Sequence, residues 1–239
     1  MFHIMPSSIG RIVVPDSLPA GFALFYTTVD FPGRLSGAIA NDLTAVVREQ
    51  FGLETALTTC NQVHGTAVAR AKGEQEWREC DSCDALWSDQ IHTALGIKVA
   101  DCLPVTMLDP AHSVVANVHS GWRGAVAQIT AATIDTVTSS TSFDPASAQA
   151  YLGPSIRVCC FEVGEEVAGR FDSRYLDRNR GAKPHVDLVA FTIDILRDRG
   201  FDPGRIFDSE LCTRCDGSIF HSYRRDAGAS GRNLAVVAQ

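Results

Sequence analysis

Two histidines and one cysteine stand far apart in the sequence, each in a short segment with turn-forming or charged neighbours. They are His64 in N-Q-V-H-G, Cys102 in A-D-C-L-P and His119 in H-S-G-W-R-G. Each lies beside an apolar, strand-like run, so its side chain is expected to face a cleft at the end of a strand. The sequence therefore predicts that these three residues share one site.

This set of side chains is compatible with three kinds of chemistry. Two imidazoles and a thiolate are three protein ligands of a tetrahedral zinc ion whose fourth position stays open for water or substrate. The same set matches the trigonal ligands of a blue-copper centre. A metal-free cysteine hydrolase would instead use Cys102 as nucleophile and His119 as its base. Asp84 and Asp101 are candidates to orient the imidazoles through hydrogen bonds.

A second group of candidates lies in the C-terminal segment F-H-S-Y-R-R-D-A-G-A-S-G-R. This segment places Arg224, Arg225 and Arg232 near Ser222, and Arg123 follows the earlier histidine motif. Guanidinium groups bind phosphate or carboxylate oxygens in pairs, and a serine hydroxyl can complete such a site. We expect an anion site here; the alternative is a solvated segment of ion pairs.

Eight cysteines include two C-x-x-C pairs, Cys80/Cys83 and Cys212/Cys215. The two pairs are separated by far more residues than in zinc modules with four cysteine ligands. Neither pair lies in a thioredoxin-like sequence context. We therefore expect free thiols with one or two metal ligands among them, in a reducing compartment, and no four-cysteine site.

Length, composition and charge limit the functional class. The 239 residues are 45% hydrophobic, enough for one sizeable core, and no segment resembles a linker, so we expect a single domain over 1–239. A net charge of −7 argues against a general nucleic-acid or anionic-membrane binder. No signal peptide and no run of roughly 18 apolar residues is visible. We expect a cytoplasmic protein; the sequence favours no oligomeric state.

The order of apolar runs predicts an α/β fold. Helical spacing is present at 41–51, 125–137, 161–171 and 186–199. Strand-like runs are present at 21–28, 56–63, 93–100, 103–108, 113–118, 151–152, 206–207 and 234–237, with extended chain at 67–71 and a polar surface segment at 72–82. Because strands and helices alternate without a strict βαβ rhythm, we expect a mixed sheet.

Six motifs occur in the order typical of a known family. They are N-Q-V-H-G, A-D-C-L-P-V, H-S-G-W-R-G, G-P-S-I-R-V-C-C-F-E-V-G, L-C-T and S-Y-R-R-D followed by G-R. From about Ala56 to its end, the chain resembles the laccase-domain proteins, also called multicopper polyphenol oxidoreductases and later purine nucleoside phosphorylases. Segment 34–42 departs from the family pattern, which affects substrate contacts expected there, and Cys80 and Cys83 match no family motif.

The resemblance implies a fold, a metal and an activity. The fold would be an α/β sandwich with mixed sheets flanked by helices, like the catalytic fold of cytotoxic necrotizing factors. His64, Cys102 and His119 would bind zinc. The substrates would be phosphate and the nucleosides adenosine, inosine, guanosine and methylthioadenosine, with adenosine deamination as a second activity. The family has also been associated with copper-dependent phenol oxidation and with the fidelity of cell-wall precursors.

The residues allow these activities to be ranked. A four-copper laccase needs many histidines in H-x-H pairs, whereas this chain has seven histidines and no such pair. One Cu²⁺ in place of zinc is still possible, since Cu²⁺ outcompetes Zn²⁺ in most such sites. We expect a zinc-dependent purine nucleoside phosphorylase with adenosine deaminase activity. The alternatives are a cysteine hydrolase or editing factor for a cell-wall precursor, copper-dependent phenol oxidation, and a non-catalytic binding protein.

Specific residues are assigned to the steps of phosphorolysis. Arg123, Arg224 and Arg225, with Ser222, would hold the phosphate that attacks the ribose. His64 or the metal would polarise the purine as it leaves. Deamination would instead use a water molecule activated by the metal, the logic of known nucleobase deaminases.

Overall fold

The computed structural model describes residues 1–31 and 36–239, which form two large β-sheets with helices on their outer faces. The strands are β1 (Phe2–Ser7), β2 (Gly10–Pro15), β3 (Ala23–Thr27), β4 (Ala56–Cys60), β5 (Val68–Arg70), β6 (Arg78–Cys80), β7 (Ala85–Ser88), β8 (Thr93–Val99), β9 (Leu103–Asp109), β10 (Val114–Ser120), β11 (Gln149–Leu152), β12 (Leu176–Asp177), β13 (His185–Val186), β14 (Ile206–Asp208) and β15 (Asn233–Ala238). The helices are α1 (Gly37–Phe51), α2 (Trp122–Val126), α3 (Ile129–Ser140), α4 (Glu165–Ala168), α5 (Leu188–Asp198) and α6 (Tyr223–Asp226). Among the described residues, no helix has the length and apolar character needed to span a bilayer. Residues 34 and 35, part of the segment that departs from the family pattern, lie outside the described residues.

Both large sheets are mixed, as the sequence predicts. The first sheet has the order β1-β2-β3-β15-β8-β4-β6, and β4 runs parallel to both β6 and β8. The second has the order β14-β11-β9-β10-β7-β5, with parallel pairs β11–β14 and β5–β7. All other neighbouring pairs in these two sheets are antiparallel.

The sheets pack face to face, and helices cover their outer faces. Residues of both sheets, among them Leu95 and Val115, form the apolar layer between them. Helix α1 covers the outer face of the first sheet with Leu43, Val46 and Val47. Helices α3 and α5 contribute to the apolar cluster on the outer face of the second sheet. The central strands are therefore buried on both faces, which explains their nearly continuous apolar sequences.

Two predicted helices agree with the structure, and the ends of the first have clear causes. The helix predicted at 41–51 begins earlier, at Gly37, where the Ser36 side chain accepts a hydrogen bond from the backbone amide of Ile39. It ends at Gly52, which adopts a left-handed conformation with φ of 72°. The helix predicted at 186–199 is α5.

Other parts of the prediction are wrong. The helix predicted at 125–137 is divided, because Gln128 has a left-handed φ of 67° between α2 and α3. Of the helix predicted at 161–171, only Glu165–Ala168 is helical. The apolar residues Phe161 and Val163, which suggested a longer helix, lie instead in a loop that packs on the core. Strands β1 and β2 were not predicted, and the polar segment 72–82 contains the edge strand β6.

A buried asparagine joins the two sheets. Asn117 on β10 donates from Nδ2 to the carbonyl oxygens of Leu95 (3.1 Å) and Ala235 (3.0 Å) in the other sheet. Its Oδ1 accepts from the Thr106 hydroxyl at 3.1 Å. Since buried polar groups are costly when they lose their partners, this network fixes how one sheet lies on the other.

We predict that Asn117→Ala lowers the free energy of unfolding by roughly 1–3 kcal/mol, because it leaves the Thr106 hydroxyl without its acceptor in the core. Chemical denaturation under reducing conditions measures this change. Asn41→Ala on the exposed face of α1 is the matched control and should change stability by no more than about 0.5 kcal/mol. Equal effects of the two substitutions would contradict the proposed role of Asn117.

Candidate metal centre

The structure brings His64, Cys102 and His119 together. Their ligand atoms lie within 4.8 Å of one another, and His64 Nε2 is 4.0 Å from Cys102 Sγ. The two imidazole rings meet nearly at right angles, with ring centroids 4.8 Å apart. His119 is buried, Cys102 is partly exposed and His64 is exposed, so the cluster lies at the bottom of an open cleft.

Strand pairing explains why such distant residues meet. In the second sheet, β10 pairs with β9 so that His119 lies opposite Pro104, and Cys102 directly precedes β9. Strand β10 also pairs with β7, with Val118 opposite Ala85, which places Asp84 beside His119. His64 arrives from the loop after β4 of the first sheet. The site therefore lies where the two sheets meet at one end.

Asp84 holds both histidines in position. Its fully buried carboxylate accepts a 2.8 Å hydrogen bond from His119 Nδ1, which directs Nε2 of that ring towards the cluster. The same carboxylate accepts from the backbone amides of Val63 (3.2 Å), His64 (2.9 Å) and Gly65 (2.7 Å). Burial opposes ionisation of Asp84, but these hydrogen bonds outweigh it and lower its pKa. Asp84 thus has the orienting role predicted from the sequence.

Asp101 does not orient an imidazole, contrary to the expectation from the sequence. It has a left-handed φ of 83°, and its carboxylate accepts from the Thr213 hydroxyl and from the backbone amide of Arg224, both at 2.6 Å. Its carbonyl oxygen accepts from the amide of Ile156 at 2.9 Å. Asp101, which directly precedes Cys102, therefore connects this segment to two loops and to the start of α6.

The cluster favours a negatively charged sulfur. Burial would raise the pKa of the Cys102 thiol, but hydrogen bonds with His119 and His64 outweigh it and lower the pKa to about 6. Burial would likewise lower the pKa of His119, whereas its hydrogen bonds with Asp84 and Cys102 raise it to about 9. A thiolate beside two imidazoles and a buried carboxylate is suited to bind a cation.

Gly121 leaves room for the cluster. A Cβ atom at this position would lie 3.0 Å from Cys102 Sγ and 3.1 Å from His64 Cδ2. Its φ of −69° is open to any residue, so the requirement is for space and not for backbone freedom. The first glycine of the H-S-G-W-R-G motif is thus explained by the side chains of Cys102 and His64, which pack against it.

Two cavities meet at the cluster and share His64, Ala100, Cys102 and Tyr223. The first, of about 390 Å³, has a largely polar rim. We call it the amide lobe; its other lining residues are Asn61, Gln62, Lys98, His119 and Arg232. The second, of about 440 Å³, is lined partly by aromatic and aliphatic residues. We call it the arginine lobe, and Trp122, Arg123, Phe161, Glu162 and Arg224 are among its lining residues.

The predicted anion-binding residues divide into two groups. Arg123 and Arg224 line the arginine lobe. The guanidinium of Arg123 lies 4.4 Å from the ring centroid of Trp122, and that of Arg224 lies 5.7 Å from the ring centroid of Phe161. Arg224 Nη1 also donates to the carbonyl oxygen of Glu162 at 2.8 Å.

Ser222 and Arg225 do not line either lobe. The buried hydroxyl of Ser222 accepts from the amide of Arg225 at the start of α6. The guanidinium of Arg225 is engaged by the carboxylate of Asp226 and by the carbonyl oxygens of Thr213 and Phe220. These two residues shape the C-terminal loop and lie outside both lobes, apart from the other residues expected to contact phosphate.

Sequence reasoning did not assign several lining residues. Tyr223 lines both lobes and is 57% exposed. It was not predicted as a site residue, although its neighbours Ser222 and Arg224 were. Gln62 pairs with the backbone of Lys98 through two hydrogen bonds of 2.7 and 2.9 Å. Only the N-Q-V-H-G and S-Y-R-R-D motifs gave a signal for these positions, because lone amide and phenol side chains are common on surfaces.

We predict that Gly121→Ala lowers zinc affinity at least tenfold, because the new methyl group meets Cys102 and His64. Metal titration monitored by mass spectrometry or a competing chelator measures the change, with circular dichroism as the test of folding. Gly37→Ala is the matched control, since a Cβ atom there meets nothing within 4 Å. Unchanged zinc affinity in folded Gly121→Ala protein would show that these side chains do not converge on a metal.

Comparisons with known proteins agree with this description. Residues 37–239 match the family model described as multi-copper polyphenol oxidoreductase laccase. A relative from Bacillus subtilis called purine nucleoside phosphorylase YlmD is 32% identical over 175 residues, which cover 70% of this chain and 63% of that protein. The aligned part is thus less than two thirds of that relative's length.

Another relative, called adenosine deaminase RL5 and from an unknown prokaryotic organism, is 34% identical over 66% of this chain and 62% of its own length. A crystal structure of a Bacillus licheniformis hypothetical protein called YfiH superposes with a TM-score of 0.84 at 22% identity, over 95% of this chain and 96% of that one. That likeness supports the fold. The family match covers most of the chain, and the protein therefore belongs to the multi-copper polyphenol oxidoreductase laccase family.

Proposed function

We propose that this protein is a zinc-dependent purine nucleoside phosphorylase that also deaminates adenosine. The observation that carries the proposal is the convergence of His64, Cys102 and His119, oriented by Asp84, where two cavities meet. Relatives named purine nucleoside phosphorylase and adenosine deaminase support this choice among the activities open to such a site. The proposed substrates are adenosine, inosine, guanosine and methylthioadenosine, together with phosphate.

The donor set fits zinc. Two imidazoles and a thiolate leave a fourth position open towards the cleft, which is typical of catalytic and not of structural zinc sites. When bound, zinc would supply Lewis acidity and the activation of a water molecule for deamination. Cu²⁺ would compete for the same ligands. A four-copper laccase mechanism lacks support, because the described residues gather only two histidines at this cluster.

The arginine lobe is the proposed phosphate site. Arg123 and Arg224 both line it, and each guanidinium lies over an aromatic ring. This packing limits the motion of the side chains, so less conformational entropy is lost when they bind an anion. Arg225 is not part of the proposed phosphate site, because it lines neither lobe and its guanidinium is held by Asp226 and by the carbonyl oxygens of Thr213 and Phe220.

The amide lobe is the proposed nucleoside site. Asn61 offers an amide group to this lobe, Gln62 lines it with its own amide paired to the backbone of Lys98, and Tyr223 offers an aromatic face at the boundary with the arginine lobe. A purine base placed there would bring its ribose to the metal ligands, opposite the phosphate. His64, which belongs to both lobes, or the metal would polarise the purine as it leaves. We place this chemistry in the cytoplasm, since a thiolate ligand and free thiols suit a reducing compartment.

A second candidate, a cysteine hydrolase, is favoured by one observation. Cys102 lies beside His119, whose other ring nitrogen donates to Asp84, and this is the order of groups in a Cys-His-Asp triad. Such an enzyme could act on an amide of a cell-wall precursor. A triad gives no role to His64, although its Nε2 lies 4.0 Å from the Cys102 sulfur. A metal site uses all three residues and therefore explains more of the arrangement.

We predict that Arg123→Ala and Arg224→Ala each raise the phosphate KM about ten- to a hundredfold, because a charge-assisted contact contributes about 1.5–3 kcal/mol. Adenosine deamination, which needs no phosphate, should change much less. Arg48→Ala on α1 is the control for loss of an exposed charge, and Arg232→Ala tests the amide lobe. If only Arg232→Ala raises the phosphate KM, phosphate binds in the other lobe and the assignment is wrong.

We also predict that zinc protects Cys102 from iodoacetamide. In metal-free protein at pH 7.5 its low pKa should make it react at least tenfold faster than Cys80, the pKa of which is raised mainly by burial. Added zinc should slow the labelling of Cys102, as measured by peptide mass spectrometry. Equally rapid labelling of Cys102 in zinc-loaded protein would favour the hydrolase.

A further inference from the structure

Four cysteines outside the cleft form a second cluster. Cys159 and Cys160 are adjacent in the loop after β11, and Cys212 and Cys215 follow β14 as a C-x-x-C pair. Their sulfur atoms all lie within 4.8 Å of one another. The sequence did not predict this site, because it paired Cys212 and Cys215 with Cys80 and Cys83 and rejected the combination on spacing.

The sulfur separations match a tetrahedral metal site. Cys159 Sγ lies 3.6 Å from Cys160 Sγ, 3.6 Å from Cys212 Sγ and 3.7 Å from Cys215 Sγ, and Cys160 and Cys215 are 3.4 Å apart. Four thiolates at about 2.3 Å from one zinc ion would be separated by about 3.8 Å. A disulfide bond needs about 2.05 Å. The sulfur atoms are therefore spaced as ligands around a common centre.

The surroundings of the cluster also favour a bound cation with a structural role. Cys160 and Cys212 are buried and Cys159 and Cys215 exposed, so an ion would lie at the surface with all four positions filled by protein. Structural zinc sites are closed in this way. Arg214 Nη1 lies 3.4 Å from Cys160 Sγ, which would offset part of the negative charge of four thiolates.

The cluster joins two loops that surround the catalytic cleft. The first loop supplies Ile156 and Phe161 to the arginine lobe. The second contains Thr213, which donates to Asp101 beside Cys102. A parallel backbone bridge between Ser155 and Cys212 already connects the loops. A metal ion at the cluster would fix the two loops to each other.

We propose that Cys159, Cys160, Cys212 and Cys215 bind a second zinc ion, which holds the wall of the arginine lobe in place. The protein thus carries two zinc ions with different roles, one open to the cleft and one closed. This assignment does not depend on the nucleoside substrate or on the proposed reaction.

Metal content of the full-length protein tests the proposal. Protein purified under reducing conditions and equilibrated with zinc should hold two zinc ions per chain by native mass spectrometry. Cys159→Ser and Cys215→Ser, at the two exposed ligands, should each reduce the content to one, as should Cys102→Ser at the other site. Cys80→Ser, in the other C-x-x-C pair, is the matched control and should retain two.

A second measurement needs no variant and covers the case of a misfolded substitution. Zinc added to the metal-free wild-type protein should protect Cys159 and Cys215 from alkylation, as read from labelled peptides. The proposal is overturned if zinc-replete wild-type protein holds one ion per chain that only Cys102→Ser removes. It is also overturned if zinc leaves the labelling of Cys159 and Cys215 unchanged, or if these residues form a disulfide in the reduced preparation.

Discussion

The buried carboxylate of Asp84 is the interaction on which the site depends. It accepts hydrogen bonds from the His119 ring and from three successive backbone amides around His64, so one side chain positions both imidazoles. Burial of this charge is costly, and the hydrogen bonds offset the cost and lower the pKa of Asp84. Because the folded pKa is depressed, this stabilisation is present above the unfolded pKa and is lost as the pH falls through the folded value.

A second carboxylate, that of Asp101, connects the cluster to the walls of the cleft. Asp101, next to Cys102, accepts hydrogen bonds from the hydroxyl of Thr213 and the amide of Arg224, and its carbonyl oxygen accepts from the amide of Ile156. The loops that form the arginine lobe are therefore attached to the same short segment that supplies the thiolate. The four-cysteine cluster joins the loop that supplies Ile156 and Phe161 to the loop that contains Thr213. If both proposed zinc ions are bound, the position of Arg224 depends on both of them, because its guanidinium donates to Glu162 in the first of these loops.

The sequence predicts the parts of the fold that follow from regular hydrophobic patterns and local backbone conformation. Long apolar runs identified the central strands, and Gly52 marked the end of α1, because these features follow from burial and backbone conformation alone. His64, Cys102 and His119 were predicted to share one site because isolated histidine and cysteine residues at strand ends are unusual. Their assembly could not be derived from spacing, since it depends on the pairing of β7, β9 and β10 and on a loop from the other sheet.

Nonlocal contacts also explain the errors. Arg224 and Arg225 are adjacent and chemically alike, yet one lines the cleft and the other binds carbonyl groups of its own loop. The second cysteine cluster was missed because its members come from two loops more than fifty residues apart, which only the fold brings together. The family match and the superposed structure support the fold. The activity depends on the chemistry of the cleft and is tested by enzyme assays.

The most direct test of the central claim is the rate of phosphate-dependent cleavage of inosine as zinc is returned to metal-stripped protein. We predict a rate near background without metal, a rise to saturation as zinc binds, and release of hypoxanthine with ribose 1-phosphate. Zinc should not restore activity to Cys102→Ser, although this variant keeps the four cysteines of the second cluster. Full activity in the metal-stripped wild-type protein would show that phosphorolysis does not need zinc.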